Sequence, residues 1–274
     1  MSAISIRAID RAYAVAQTIP GWLMPNEAKY LYDVGCATAG QDIVEIGTYF
    51  GKSTYLIGQG MRDARSEALL ITIDVHFRGI DPATQRPVIL AEDSAIALLN
   101  TVKTYGLDRI IVPMIGWSEV CVSALDFARV GAVFIDGGHE FEDVTRDFMA
   151  VRARMAPGSS VKFMFHDYHP AFPGVMRAVD EWVRTDPGFH YIDLVHSLFI
   201  CSITAGSDDP EQTQPAIRRR SDPLLTENVL LRSRLSEAYA DRAMWQRRAE
   251  AMSNATLWRA TAPVRWILDR LRGR

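Results

Sequence analysis

The sequence is poor in cysteine and has no long apolar run. Its three cysteines, Cys36, Cys121 and Cys201, are widely scattered and form no C-x-x-C pair, which argues against a zinc ribbon, a redox dithiol or a disulfide framework. No segment approaches the roughly 18 consecutive apolar residues of a membrane span, and the N-terminus lacks the apolar region of a signal peptide. These features predict a cytoplasmic protein.

An excess of charge of one sign is also missing from the chain as a whole. Thirty basic and 33 acidic side chains among 274 residues give a formal net charge of −3, which argues against nucleic acid as a partner. The distribution is uneven, however, because residues 242–274 carry eight arginines against Glu250 and Asp269. This basic end is expected to have a role separate from that of the main body.

Between residues 41 and 204, short apolar runs alternate with helical patterns, as is typical of an α/β domain with a mostly parallel sheet. The last two runs follow one another without a helix, so the sheet is expected to end in an antiparallel hairpin. Residues 1–40 are expected to form a helical N-terminal segment. The seven strands are predicted at residues 43–46, 69–74, 110–114, 132–136, 161–166, 191–196 and 198–204, and the helices at 53–62, 93–105, 118–129, 141–155 and 175–185.

A glycine-containing turn joins the first predicted strand to its helix in the stretch Val44–Thr54, which reads VEIGTYFGKST. Glycines at such a turn let a ligand approach the backbone at the carboxyl end of a strand. The dinucleotide fingerprint G-x-G-x-x-G is not formed, because position 49 is tyrosine. Gly51-Lys52-Ser53 ends like a phosphate-binding P-loop, but only three residues separate Gly47 from Gly51 where that loop needs four. A P-loop-like nucleotide hydrolase is therefore the weaker alternative.

Two acidic residues point to a different ligand. Asp74 closes the second predicted strand, where a carboxylate can accept hydrogen bonds from both hydroxyls of a ribose, as suits a nucleoside without phosphates. Glu45 is expected near the sulfonium and amino end of S-adenosylmethionine, where a negative charge complements a cation. A P-loop enzyme needs neither acid, so this pair favours S-adenosylmethionine.

At this point the sequence resembles the class I S-adenosylmethionine-dependent methyltransferases, and within them the macrocin and mycinamicin sugar O-methyltransferases and bacterial glycan methyltransferases. The resemblance spans about residues 21–204 and rests on four stretches in order: Val44–Thr54, Phe134–His139, Met155–Gly158 and Phe165–Tyr168. It implies a Rossmann-like seven-stranded sheet with the cofactor over the carboxyl ends of its first strands. It also implies O-methylation of a sugar, in a bacterial surface polysaccharide or a glycosylated metabolite.

The resemblance places the adenine beside the residues that follow the third strand. Together with the turn and Asp74, it completes the set of expected cofactor contacts. That set is Glu45, Gly47, Thr48, Tyr49, Gly51, Ser53, Asp74, Gly116, Trp117, Ser118 and Asp136.

Acids and imidazoles follow two later strands, in Asp136–His139 and in His166-Asp167. In the metal-dependent relatives, an acid at the Asp136 position and a pair at the His166 and Asp167 positions bind magnesium, while a histidine at the His139 position is the general base. The resemblance therefore implies His139 and Asp136 as catalytic residues and Asp136, His166 and Asp167 as ligands of a divalent metal, Mg²⁺ or Mn²⁺. His166 replaces an acid, which puts the metal in question. A histidine beside an aspartate is often only hydrogen-bonded to it.

The composition changes after residue 204. Residues 205–223 have the polar composition of a linker. In residues 224–252, apolar and small residues recur at alternating intervals of four and three over about four heptads, with Asn228 and Arg242 at the remaining positions of the series. This spacing fits a coiled coil or a single helix packed on the main domain. Tryptophans and leucines among the arginines of residues 258–274 fit a segment lying on an anionic inner membrane surface. We therefore expect a homo-oligomer with peripheral membrane contact; a catalytically inactive coiled-coil scaffold is the non-enzymatic alternative.

Shortening the chain to end at Ser207 tests this reading of the C-terminal part. We expect the shortened protein to fold and bind S-adenosylmethionine, because no predicted strand is lost. It should lose self-association and binding to anionic vesicles, since each basic residue near such a surface contributes about 1 kcal/mol. Light scattering and liposome co-sedimentation compare the two proteins. Unfolding of the shortened protein, or unchanged mass and vesicle binding, would contradict the expectation.

Overall fold

A computed structural model describes residues 3–76 and 94–206 of the chain. Most of the predicted linker, together with the heptad segment and the basic end, lies outside the described residues. Within those two ranges, no helix combines the length and the apolarity needed to cross a bilayer.

Seven strands form one sheet, and their bounds are β1 (Asp42–Ile46), β2 (Leu70–Asp74), β3 (Ile111–Ile115), β4 (Val130–Ile135), β5 (Ser160–Phe165), β6 (Phe189–Val195) and β7 (Leu198–Thr204). The spatial order is β3-β2-β1-β4-β5-β7-β6. The first five strands run parallel, whereas β7 is antiparallel to both β5 and β6. The predicted sheet and its final hairpin are therefore confirmed. The order reverses between β1 and β4, and the carboxyl ends of strands at such a point form a ligand crevice.

Helices cover both faces of the sheet, and their bounds are α1 (Ala3–Ala16), α2 (Pro25–Cys36), α3 (Lys52–Asp63), α4 (Ser94–Thr104), α5 (Ser118–Ser123), α6 (Phe141–Arg152) and α7 (Pro173–Ala178). The predicted helical N-terminal segment corresponds to α1 and α2. The helix predicted over residues 118–129 is wrong in length, because Asp126 accepts a hydrogen bond from the Ala128 amide and starts a separate 3₁₀ turn. Helix α7 continues into a π-helical turn at Val179–Val183.

The central strands are buried on both faces, which explains their continuous apolar runs. Val133 and Phe163 pack with Phe148 of α6 on one face. On the other face, Phe134 and Met164 belong to the core that α1, α2 and α3 complete. The two layers hold the carboxyl ends of β1, β4 and β5 in place beneath the loops that follow them.

Helices α2 and α3 meet through glycines that leave no room for side chains. A Cβ on Gly35 would lie 2.1 Å from the Ile57 carbonyl oxygen, and one on Gly60 would lie 2.1 Å from that of Tyr32. The Tyr32 hydroxyl also donates a hydrogen bond of 2.7 Å to Asp63. Because the two helix backbones are in contact, α2 has a fixed position on the helix that follows the glycine-containing turn.

Replacing Gly60 by alanine tests this contact. Alanine favours a helix by about 1 kcal/mol over glycine, yet Gly60→Ala should lower the free energy of unfolding by about 1–3 kcal/mol through overpacking. Gly58→Ala on the same helix is the control, because the nearest atoms to its Cβ would belong to side chains, those of Ile111 at 3.0 Å and Leu107 at 3.4 Å, and not to backbone. Denaturant unfolding measures both. A Gly60→Ala protein as stable as Gly58→Ala would contradict the contact.

Candidate active site

The loops after β1 and β4 touch at the carboxyl edge of the sheet. Gly47 has a φ of +90°, and a Cβ there would lie 2.2 Å from the carbonyl oxygen of Asp136. The Asp136 amide in turn donates a hydrogen bond of 2.8 Å to the Ile46 carbonyl. Any residue with a Cβ at position 47 would clash with the Asp136 carbonyl. The predicted cofactor turn and the predicted catalytic loop are therefore in direct contact.

Asp74 holds the turn after β1 in its conformation. Its Oδ2 accepts hydrogen bonds from the backbone amides of Thr48, at 2.7 Å, and Tyr49, at 2.9 Å, while its Oδ1 accepts one from the His76 amide at 2.7 Å. Tyr49 has a φ of +48°, a left-handed conformation that is costly for a residue with a Cβ. Asp74 therefore stabilises the turn. Its Oδ1 atom can still accept a further hydrogen bond, as its predicted role toward the ribose hydroxyls requires.

Glu45 lies inside the protein, beneath the turn after β1. It is fully buried in β1 and accepts hydrogen bonds from the hydroxyls of Ser53 and Thr54, the latter at 2.6 Å. Burial raises the pKa of Glu45 to about 8, so the side chain is mostly uncharged at neutral pH. Glu45 and Ser53 thus bind each other beneath the turn, and their expected contacts with the cofactor stay predictions.

The segment after β3 presents an aromatic side chain at the same edge. Trp117, which follows Gly116, is 46% exposed, and the Arg146 guanidinium lies 5.9 Å from its ring centroid. Ser118 is buried and donates a hydrogen bond to Asp147 of α6. Burial raises the pKa of Asp147 to about 6. Sequence reasoning missed Asp147, which is 29 residues from Ser118 in the chain.

Three predicted residues come together beside Gly47. Asp136, His139 and Asp167 each offer one ligand atom, and these three atoms lie within 4.8 Å of one another. His139 Nε2 is 3.1 Å from Asp167 Oδ2, and the His139 side chain is 46% exposed. This hydrogen bond raises the pKa of His139. Burial acts against ionisation of Asp167, but hydrogen bonds from His139 and His166 hold its pKa well below the ordinary value.

His166 lies between acids on both sides of its ring. Nδ1 is 3.0 Å from Asp136 Oδ1 and 3.4 Å from Asp167 Oδ2, and Nε2 is 3.2 Å from Glu27 Oε2. Burial opposes protonation, but these acids hold the pKa of His166 well above its usual value. A doubly protonated imidazole has no lone pair for a metal. The ligand atoms that lie within 4.8 Å of one another come from Asp136, His139 and Asp167, and the ligand set that includes His166 stays a prediction.

The N-terminal segment also reaches the turn after β1. Lys52 Nζ donates a hydrogen bond of 2.7 Å to the Gly21 carbonyl, and the Trp22 ring stacks on Tyr49 with 5.7 Å between centroids. In a P-loop the corresponding lysine faces the phosphates of the nucleotide. Because Lys52 is directed to Gly21 instead, the geometry gives the hydrolase alternative no support.

The comparison with protein families decides the general activity. Residues 44–168 match the methyltransferase domain family Methyltransf_24. This part of the chain is a methyltransferase domain. The matched range begins in β1 and ends just beyond Asp167, so it contains the turn, Asp74 and the cluster around His139.

Solved structures share the fold of this methyltransferase. An O-methyltransferase from Bacillus cereus in complex with SAH has 15% identity and a TM-score of 0.50, over 72% of this chain and 90% of the other. The SAH-bound methyltransferase PaMTH1 from Podospora anserina has 14% identity and a TM-score of 0.51, over 73% and 88%. A protein from Corynebacterium glutamicum has 15% identity and a TM-score of 0.51, over 74% and 92%. At such identities, the likeness concerns the fold.

The replacement of Asp74 by alanine tests its two roles in the methyltransferase. We expect binding of S-adenosylmethionine to weaken by roughly 2–3 kcal/mol, because ribose acceptors and the anchor of the turn are both lost. Isothermal titration calorimetry measures the change. Asp126→Ala is the control, since Asp126 caps an exposed 3₁₀ turn. Equal affinity in the Asp74→Ala and Asp126→Ala proteins would contradict the assignment.

Proposed function

We propose that this enzyme transfers the methyl group of S-adenosylmethionine to a sugar hydroxyl, in a bacterial polysaccharide or a glycosylated metabolite. The observation that carries the proposal is the His139–Asp167 pair at the sheet edge beside Gly47. A hydroxyl is a poor nucleophile until it loses its proton, and a half-exposed imidazole oriented by a carboxylate is suited to accept that proton. The name of the Bacillus cereus neighbour, an O-methyltransferase, agrees with oxygen as the acceptor atom.

The roles of the residues follow from their positions. With Nε2 of His139 donating to Asp167, Nδ1 of the neutral ring is the acceptor that receives the proton of the sugar hydroxyl. Asp167 then stabilises the imidazolium. The turn from Gly47 to Gly51, with Asp74 and Trp117, would hold S-adenosylmethionine, which supplies the methyl group as a sulfonium. Gly47 keeps that turn against the loop that carries His139, so donor and acceptor are brought side by side.

A metal-assisted form of the same reaction is the second candidate. The oxygen atoms of Asp136 and Asp167 and a nitrogen of His139 fit the ligand set of a divalent ion, and the imidazole favours Mn²⁺ over Mg²⁺. Such an ion, when bound, would lower the pKa of the acceptor hydroxyl. The cluster also argues against an inactive scaffold, because the residues needed for chemistry lie together.

The remaining parts of the proposal concern the C-terminal part of the chain. We propose that the heptad segment of residues 224–252 gives a homo-oligomer and that residues 258–274 contact an anionic inner membrane surface. The amphipathic basic composition of the latter supports this location. A cytoplasmic enzyme held there would meet glycans during their assembly.

Replacing His139 by alanine tests the proposed base. We expect kcat to fall by about 10²- to 10⁴-fold, as for the loss of a general base, with unchanged affinity for S-adenosylmethionine. The assay follows labelled methyl transfer to a panel of nucleotide sugars and glycans. His190→Ala, at an exposed histidine on β6, is the control and should retain full activity. Full activity of His139→Ala would contradict the proposal.

Removal of divalent ions distinguishes the two candidates. In the metal-free form, a chelator should leave methyl transfer unchanged, and His139 remains the base. Loss of activity with chelator and its return with Mn²⁺ would favour the metal-assisted form. The measurement is the same methyl-transfer assay, with and without each ion.

A further inference from the structure

Glu27 is a buried acid in helix α2, outside the range that matches the methyltransferase domain. It occupies the third position of the helix and is 1% exposed. Its Oε2 accepts a hydrogen bond of 2.8 Å from the Met24 amide, which is the ordinary function of a glutamate at this position of a capping box. Capping alone needs one bond and leaves no reason for a charged group to be buried.

The other contacts of Glu27 connect the helix to two different parts of the sheet. Oε2 is 3.2 Å from His166 Nε2, at the end of β5. Oε1 accepts hydrogen bonds from the amide of Ser197, at 2.9 Å, and from its hydroxyl, at 2.6 Å, and lies 3.3 Å from His196 Nδ1. One carboxylate therefore joins α2, the end of β5 and the turn between β6 and β7.

Both connections continue to Asp167. His166 contacts Asp136 and Asp167 through Nδ1, at 3.0 and 3.4 Å. Independently, the Ser197 carbonyl accepts a hydrogen bond of 2.9 Å from the Tyr168 amide. Asp167 lies between these two contacts with a φ of +58°, a conformation that persists only where the surroundings impose it. Its side chain is the partner of His139.

We propose that Glu27 is a positioning residue of the methyltransferase, which orients the His166 imidazole and the turn at residues 196–197 and so keeps Asp136 and Asp167 in place for His139. The inference rests on the proposed function of His139. It makes the N-terminal helix α2 a part of the catalytic unit, although that helix lies outside the matched domain. Glu27 acts through His166 and the turn, so its loss should affect turnover while cofactor affinity is kept.

A double-mutant cycle tests this proposal in the full-length enzyme. Glu27→Gln keeps the size of the side chain and should lower kcat by about 10- to 100-fold, as for the loss of an orienting partner. Affinity for S-adenosylmethionine should stay within about twofold, since the contacts of Glu27 described above lead to the end of β5 and to the turn between β6 and β7. In a His166→Gln background, the same change should have a smaller effect on kcat than in the unmodified enzyme, because only the connection through the turn at residues 196–197 is left to lose. Unchanged kcat in Glu27→Gln, or fully additive losses in the double variant, would overturn the proposal.

Two further variants, Asp42→Asn and Ser197→Ala, serve as controls for the Glu27→Gln measurement. Asp42→Asn removes a buried acid at the opposite end of β1, where Asp42 accepts a hydrogen bond from the Leu69 amide at 2.8 Å; it should lower thermal stability and leave kcat unchanged. Should Glu27→Gln fail to fold, Ser197→Ala removes one bond to Glu27 and should lower kcat about fivefold, as for one lost hydrogen bond. Unchanged kcat in Ser197→Ala would then contradict the proposal.

An NMR measurement tests the positioning role of Glu27 independently of the proposed function. In protein labelled with ¹⁵N-histidine, the ring N–H of His166 that faces Glu27 should give a slowly exchanging downfield signal, which Glu27→Gln removes. If no acceptor is methylated by the unmodified enzyme, the proposed function fails while this signal still tests the orientation of His166. A His166 signal that is the same in both proteins would overturn the positioning role.

Discussion

The contact between Gly47 and the carbonyl of Asp136 is the constraint on which the rest of the site depends. Parallel strands β1 and β4 lie side by side, and the loops at their carboxyl ends must diverge unless one of them lacks a side chain. Gly47 lets them touch, with 2.2 Å between a hypothetical Cβ and the Asp136 oxygen. The turn after β1 and the loop of His139 are thereby held in contact with each other.

A chain of alternating charges extends from this contact into the protein. Glu27 contacts His166, His166 contacts both Asp136 and Asp167, and Asp167 contacts His139, so each of these acids faces at least one imidazole. Burial of an isolated charge is costly, whereas a paired and hydrogen-bonded charge is tolerated. The pairing explains how several acids are tolerated at a partly enclosed site and why both ring nitrogens of His166 face acids.

The fold could be predicted from the sequence because its central strands are buried on both faces and their carboxyl ends carry the polar residues. The residues at those ends, Asp74, Asp136 and Asp167 among them, followed from the same pattern. The hydrogen bonds that Ser53 and Thr54 donate to Glu45 could not be predicted, because periodicity does not show which hydroxyls enclose a buried acid. Glu27 could not be found at all, since it contacts His166 across 139 residues of chain, and a capping glutamate gives no local sign of such a contact.

The most direct measurement is a crystal structure of the enzyme with S-adenosylhomocysteine, the demethylated product. We predict that the ribose hydroxyls lie about 2.6–3.2 Å from Asp74, that the adenine lies beside Trp117, and that the sulfur faces the imidazole of His139. A ligand bound away from the turn after β1, or with its sulfur directed away from His139, would contradict the account.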